Sequence, residues 1–362
     1  QTCAAATVLA ADAAVWEGGW YVAQGKVTIP DAVTLSGDVH LILADECSLT
    51  AGSGIAGSGT LTVYAQSTGE QMGCLTATGV AVTETEAVSA GINAGAITVN
   101  GGVVNATGGA GNGSDITSAG LYSTPGNITI NDGVVTATGG TVTGDCGNST
   151  GIATEEADVI VNGGTVNATG AASATWSIGV YADWGGFRLS GGSVTATGRD
   201  AEYDGGRTSA RSIGLYADDF AVSGGELTAT SGTAAGNMPE TYGISCSNAR
   251  IDGGTVIAEA GAASGGSSTG ISNYGAFTAT GGQVIATSGA AAWSTGIDSY
   301  GDAQSFSISG DAAVEATGGE STSCSAGVYA YSWDEGGTVS ISDHASLLAI
   351  GKHSDAISFG VY

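Results

Sequence analysis

Basic residues are nearly missing from this 362-residue chain, with 7 Lys+Arg against 34 Asp+Glu and a formal net charge of -27. So few scattered cations cannot build the positive face that nucleic acid or an anionic membrane surface requires, and the acidic excess repels both. There are only 3 prolines. No run of about 18 apolar residues occurs, which excludes a transmembrane helix. Gln1 opens the chain without the charged start and apolar core of a signal peptide, so any export signal is expected to be gone already. Charged residues make up 11% and hydrophobic ones 42%, which is not the composition of a disordered chain and predicts a folded one. A 3.6-residue apolar period is also absent, and with it the helical solenoids.

What the chain has is glycine, 64 residues of it, set in recurring phrases. Thr76-Ala77-Thr78-Gly79 returns as Asn105-Ala106-Thr107-Gly108, Thr136-Ala137-Thr138-Gly139 and onward to Glu315-Ala316-Thr317-Gly318. The central alanines recur about every 30 residues, a solenoid period that overrides any domain count taken from length. A second phrase, Gly120-Leu121-Tyr122, is interleaved with the first and repeats as Gly179-Val180-Tyr181, Gly214-Leu215-Tyr216 and Gly327-Val328-Tyr329, ending at Gly360-Val361-Tyr362. A third lies between them, as in Ile97-Thr98-Val99-Asn100-Gly101-Gly102 and Val159-Ile160-Val161-Asn162-Gly163-Gly164.

Each unit therefore holds three short period-two runs separated by Gly, Asn and Asp turns. That pattern predicts an all-β parallel β-helix of about ten turns with three strands per turn, each strand paired one turn on at about 4.8 Å. Alternation places Val104 and Ala106 inside and Asn105 and Thr107 outside. Residues 1–25, Ala-rich with Trp16 and Trp20, read as a cap over the open end, and residues 26–362 as the β-helix. The variable stretches after each Ala-Thr-Gly fall on one edge as loops, where function often resides. Cys47 and Cys74 align one unit apart, a spacing compatible with a disulfide. Cys146, Cys246 and Cys324 lie too far apart in the repeat to bridge one another, and Cys3 is left open.

The opening segments Gly19-Trp20-Tyr21-Val22, Leu61-Thr62-Val63-Tyr64-Ala65 and Leu75-Thr76-Ala77-Thr78-Gly79 resemble the start of large secreted surface proteins of gut-dwelling anaerobic bacteria. The later Val-Ser-Gly-Gly and Val-Thr-Ala-Thr-Gly phrases resemble the clostridial right-handed β-helix carbohydrate-binding domain family, and the likeness runs over nearly the whole chain. It implies a right-handed parallel β-helix that binds calcium, cellulose or acidic plant polysaccharide. The family commonly has Asp before the Gly of the second phrase, where this chain has residues such as Ala90, Ala119, Thr150 and Ile178.

Four residues beyond that Gly stand Glu155, Asp183 and Asp218 in three successive units, with Glu156 and Asp219 beside them. Carboxylates stacked about 5 Å apart repel. A calcium ion would relieve the repulsion, but surface ion pairs are the reading preferred, because Arg188, Arg199, Arg207 and Arg211 fall in the same two units. Residues 198 to 211 form the most charged loop and the leading candidate for a local site. Tyr122, Tyr181, Tyr216, Tyr329 and Tyr362 form an outward column, Trp176 and Trp293 precede it, and Trp184 and Trp333 follow it.

Planar rings at regular spacing can stack on the C–H faces of pyranoses. For any single ring, packing under a loop is the commoner role, and only the recurrence favours sugar. The glycan-binding candidates are thus Tyr181, Trp184, Tyr216, Trp176, Trp293 and Trp333, with Arg207 and Arg211. An outward threonine column including Thr107, Thr138 and Thr230 is too interrupted beside it for an ice-binding face. No Gly-x-Ser-x-Gly, HExxH or phosphate loop occurs, and His40, His344 and His353 lie far from the acidic column.

The sequence is read as a non-catalytic bacterial cell-surface β-helix, extracellular, that binds polysaccharide and needs no cofactor unless calcium sits at the acidic column. A structural stalk or an adhesin segment for a host surface protein is the alternative, and a polysaccharide lyase or hydrolase ranks below both.

Overall fold

The computed structural model describes residues 6–144, 146–173, 175–203, 209–301, 305–332 and 338–362. Its strands pair in parallel through one continuous ladder, giving an all-β solenoid of about 10 turns with about 29 residues in each. The expected fold is the observed one. Within a turn the chain runs through an Ala-Thr strand such as Ser193–Thr197, then a Gly-Ile strand that bends into a connecting strand, here the continuous Arg211–Val222, and on to the next Ala-Thr strand, Glu226–Thr230. The connecting turn Ser190-Gly191-Gly192 needs glycine, because Gly192 has a φ of 81°.

The period-two pattern fills the interior as alternation requires. Val104, Ala106, Ile128, Ile130, Val135 and Ala137 are buried. In the later turns Phe187 stacks on Phe220 at 5.9 Å and Phe277 on Phe306 at 4.8 Å, with the small Ala249 between the two pairs in the same ladder. Like stacks on like because each inward position faces its equivalent one turn away.

At the corner the interior is too thin for side chains. An added Cβ at Gly179 would lie 2.3 Å from the Thr197 amide nitrogen and 2.5 Å from the Gly214 carbonyl oxygen, so the Gly-Ile and Ala-Thr backbones approach here with nothing between them. Beside this seam runs a column of buried hydroxyls that the sequence reading missed. Ser118 Oγ donates to the Gly109 carbonyl at 2.7 Å and accepts from the Gly140 amide at 2.8 Å. Ser149, Ser177, Ser212, Ser268 and Ser325 accept from the corner amide of the following turn in the same way. Each hydroxyl satisfies a backbone group that the narrow corner would otherwise orphan.

The edge loops are less free than their variability suggests. Val82, Gly111, Val142, Ser173 and Ala201 pair in succession, and the line continues through Ala234, Ala263, Ala291 and Ser321 to Ser354. A fourth, very short ladder thus ties the loops together. In the predicted charged loop, Ala201–Tyr203 pairs with Ala234–Gly236.

Strands begin earlier than the sequence suggested. Val15–Ala23 pairs with Val33–Leu43 and Thr7–Val8 with Tyr21 and Val22, so the ladder already runs through the expected cap. Trp16 is fully buried at that end of the core, its indole donating to the Ala13 carbonyl at 2.8 Å.

The Cys47–Cys74 bridge is not formed, and all five described cysteines are free. Ser48 rather than Cys47 lies opposite Cys74, so the pleat sends the two thiols to opposite faces. Cys47 is buried in the core, whereas Cys74 faces out and accepts from the Asn105 side chain at 3.3 Å.

Candidate functional site

The Gly-Ile strands carry the aromatic and acidic residues on their outer face, in columns fixed by the ladder. One column runs Tyr181, Tyr216, Ser245, Ser272, Asp298, Tyr329. Five residues earlier on the same strands a second runs Trp176, Arg211, Glu240, Ser267, Trp293, Cys324. Between them lies an outer apolar patch separate from the main core, in which Ile178, Ile213 and Tyr242 pack with Trp176, Tyr181 and Tyr216. Of the candidates named from sequence, Trp176, Tyr181, Trp184, Arg211, Tyr216 and Trp293 fall on strands of this face. Arg207 and Trp333 lie outside the described residues.

The rings split into packed and presented. Tyr122 is buried, while Tyr181 and Tyr216 are half-buried with centroids 5.2 Å apart. Trp184 is 77% exposed and sits at a φ of 55°, where the register breaks between Ala182 and Gly186. A large side chain held to solvent from a left-handed backbone is a local cost that the neighbouring ladder enforces. Trp293 is 54% exposed, between the small Ser267 and Cys324 in its column.

The acidic column exists, but its electrostatics differ from the expectation. Glu155 pairs in register with Asp183, and Asp218 follows. Burial, then the charges of Asp218 and Glu155, push the Asp183 carboxyl up, against hydrogen bonds from Tyr181 and Trp184. Two of the arginines expected to neutralise this file, Arg188 and Arg211, serve other acids. Arg188 pairs with Asp158 at 3.0 Å and Arg211 with Glu240, because both are in register with residues of a neighbouring turn rather than with the file itself. Glu240 outweighs the burial that disfavours the Arg211 charge, and the guanidinium lies 4.9 Å over the Trp176 ring. Among the described residues no three acidic, His or Cys side chains converge as metal ligands, and the carboxylates file along the ladder with their own donors, Tyr122 on Glu155 and Tyr181 and Trp184 on Asp183.

The best-formed concavity on this face lies further along and went unnoticed in the sequence. It is a cleft of about 270 Å³ spanning the turns from Glu240 to Tyr329. Trp293, Tyr242, Tyr300 and Tyr329 supply its rings; Ser267, Thr269, Ser272 and Thr295 supply hydroxyls; Glu240 and Asp298 supply carboxylates. Tyr274 stands edge-on to Tyr300 at 4.5 Å and extends the aromatic wall. Larger but shallower hollows, such as one of about 520 Å³ at the loop edge around Ala291 and His353, present no Trp, Tyr or Phe among the described residues.

Asp298 is the unusual member of the cleft. Its Oδ1 has no solvent exposure and no hydrogen-bond partner among the described residues. Burial pushes its carboxyl up to about 7. A folded-state value above the unfolded one of about 3.9 means that this group's stabilising contribution is complete at low pH and is lost as pH rises from about 4 to about 7. Asp298→Asn should therefore flatten that part of the stability profile. At pH 8 the variant should be the more stable protein, by up to about 4 kcal/mol before cleft water screens the charge. Denaturant midpoints of both proteins across that pH range check this, and parallel profiles would contradict it.

Comparison with protein-family models, with curated proteins and with solved structures finds no match to this chain.

Proposed function

We propose that the chain is a non-catalytic glycan-binding β-solenoid, exported and displayed on a bacterial surface, and that polysaccharide lies against the outer face of its Gly-Ile strands. The cleft at Trp293 carries this reading. One exposed ring at the rim, three rings in the wall, a set of hydroxyls and two carboxylates match what a sugar presents, apolar C–H faces edged by donors and acceptors. The upstream rings at Tyr181, Trp184 and Tyr216 continue the strip over several turns, at about 4.8 Å per turn, which suits a polymer better than a small free ligand. Scarce cations and the strong negative charge favour neutral or basic glycans over acidic ones.

Geometry favours holding the glycan over cutting it. Asp298 is flanked in its own column by Ser272 and Tyr329 and has no carboxylate facing it across the ladder, whereas hydrolysis needs two carboxyls at a set separation. Glu240 is moreover committed to Arg211.

The test is to incubate the purified protein with insoluble cellulose, xylan, pectin, chitin and mucin, measuring the bound fraction and the reducing sugar released. Binding without release supports the reading. Release of soluble oligosaccharide would make the chain an enzyme. No binding to any of them would favour a stalk or a protein-binding adhesin segment.

A further inference from the structure

Among the described residues, four carboxylates of this face have partners. Glu155 has Tyr122, Asp183 has Tyr181 and Trp184, Asp218 has Ser247 at 3.5 Å, and Glu240 has Arg211. Asp298 stands apart, with Oδ1 sealed from solvent and unpartnered among the described residues. A buried acceptor without a donor costs more than an average hydrogen bond contributes, and Asp298, half-buried as a residue, lines the cleft, so its carboxyl marks a place where a charged donor from outside is favoured.

The surroundings define that donor. Among the described residues no Lys or Arg lines the cleft, and the guanidinium beside Glu240, Arg211, is held by that carboxylate over Trp176. Trp293 and Tyr300 stand on the strand of Asp298 itself and Tyr329 lies opposite it on the next, and aromatic faces attract cations. A neutral hydroxyl could donate to Asp298 but would leave its charge uncompensated. A carboxylate on the ligand would be repelled by both Asp298 and Glu240. A protonated amine donates and neutralises together. The volume suits about one sugar ring rather than a larger ligand.

We propose that this cleft selects an amino sugar, with the ligand's ammonium group on the Asp298 carboxylate and its pyranose ring against Trp293. The inference rests on the glycan reading and narrows it to a basic unit within the polymer.

The pH dependence follows from the groups that face Asp298. Burial holds the phenols of Tyr242, Tyr300 and Tyr329 and the thiol of Cys324 above their ordinary values, and Glu240 is paired with Arg211; Tyr274, just past the strand Ala263–Asn273, and Tyr331, on Ser321–Ser332, complete the set. Asp298 is the group that changes charge near neutrality. Affinity for the amine should rise as pH increases from about 5 to about 7 and Asp298 ionises, then fall once the amine itself loses its proton.

Three soluble β-1,4-linked tetrasaccharides of the glucose series test the proposal, because they differ only at C2: a hydroxyl, an N-acetyl group or a free amine. Calorimetric titration of the full chain near pH 6.5 in physiological salt should give the free-amine oligomer at least about tenfold tighter binding than the other two. Asp298→Asn should abolish that preference. Glu226→Gln, which removes the same charge from an exposed site on an Ala-Thr strand, should leave it intact.

Equal affinity for all three oligomers, or a preference lost equally in both variants, would overturn the amine proposal while leaving glycan binding in place. Failure to bind any oligomer, in a protein that also fails to bind the insoluble polysaccharides, would remove both. The wild-type selectivity series decides the matter even if a variant folds poorly.

Discussion

Gly179→Ala should destabilise the solenoid by about 3 kcal/mol, a large effect for one methyl group. The new Cβ would meet the Thr197 nitrogen at 2.3 Å, the Gly214 carbonyl oxygen at 2.5 Å and the Ala196 carbonyl carbon at 2.6 Å. All three belong to backbones locked in ladders on both sides, so no side chain can rotate away to make room. The cost is steric, because Gly179 does not lie in the left-handed region. Gly52→Ala is the matched control. Its Cβ would find the Pro30 carbonyl oxygen at 3.5 Å, an ordinary contact. Denaturant midpoints of the two variants should separate clearly, and coincident midpoints would contradict a bare backbone seam at the corner. Because a solenoid is coupled mainly between neighbouring turns, proteolysis should first cut the Gly179 variant near the altered turn.

Trp293→Ala should lower affinity for the bound polysaccharide at least tenfold with almost no change in stability, as expected of an exposed ring that stacks on a sugar. The ring is 54% exposed and contributes little to the core, so its removal leaves the fold intact. Trp184→Ala should weaken binding to long chains more than to short ones, since Trp184 lies several turns from the cleft. Trp20 provides the control. It stacks on His40 at 4.5 Å and lies tilted against Tyr64 at 5.3 Å near the other end of the solenoid, and Trp20→Ala should leave binding unchanged. Equal losses from Trp20 and Trp293 would point to a general structural effect rather than a site.

Much of this architecture was legible because a parallel β-helix writes its geometry into the sequence as recurrence. The Ala-Thr phrase gave the period, the Gly-Ile phrase gave the corner, and Val104 and Ala106 fall inside as alternation requires. The columns of tyrosine and tryptophan could be counted directly, and the ladder places Trp176, Tyr181, Tyr216 and Trp293 on one face.

What recurrence hides is the single exception. Asp298 stands two residues beyond Gly296, in the same column as Tyr216 and Tyr329, and the count that found the tyrosines reaches it too. It passed unnoticed because one residue in a column makes no pattern, and because its cleft depends on Glu240 and Tyr300 from neighbouring turns.

Pairings between turns were harder still. Arg188 and Asp158 lie 30 residues apart, Asp158 just before the connecting strand Val159–Val161 that pairs with the strand of Arg188, so proximity along the chain suggested the wrong partners. Cys47 and Cys74 failed by one position of register, the smallest error a spacing can carry and enough to invert a side chain.

The central claim is that the outer face of the Gly-Ile strands is where the glycan lies. Hydroxyl-radical footprinting of the protein, with and without a saturating soluble oligosaccharide from the polysaccharide it retains, tests this most directly. Protection should appear at Trp293, Tyr300 and Tyr329, extend to Trp184 with longer oligomers, and spare Trp20 and Tyr64. Protection confined to the loop edge around His353, or found at Trp20 and Tyr64 while Trp293 stays reactive, would contradict it.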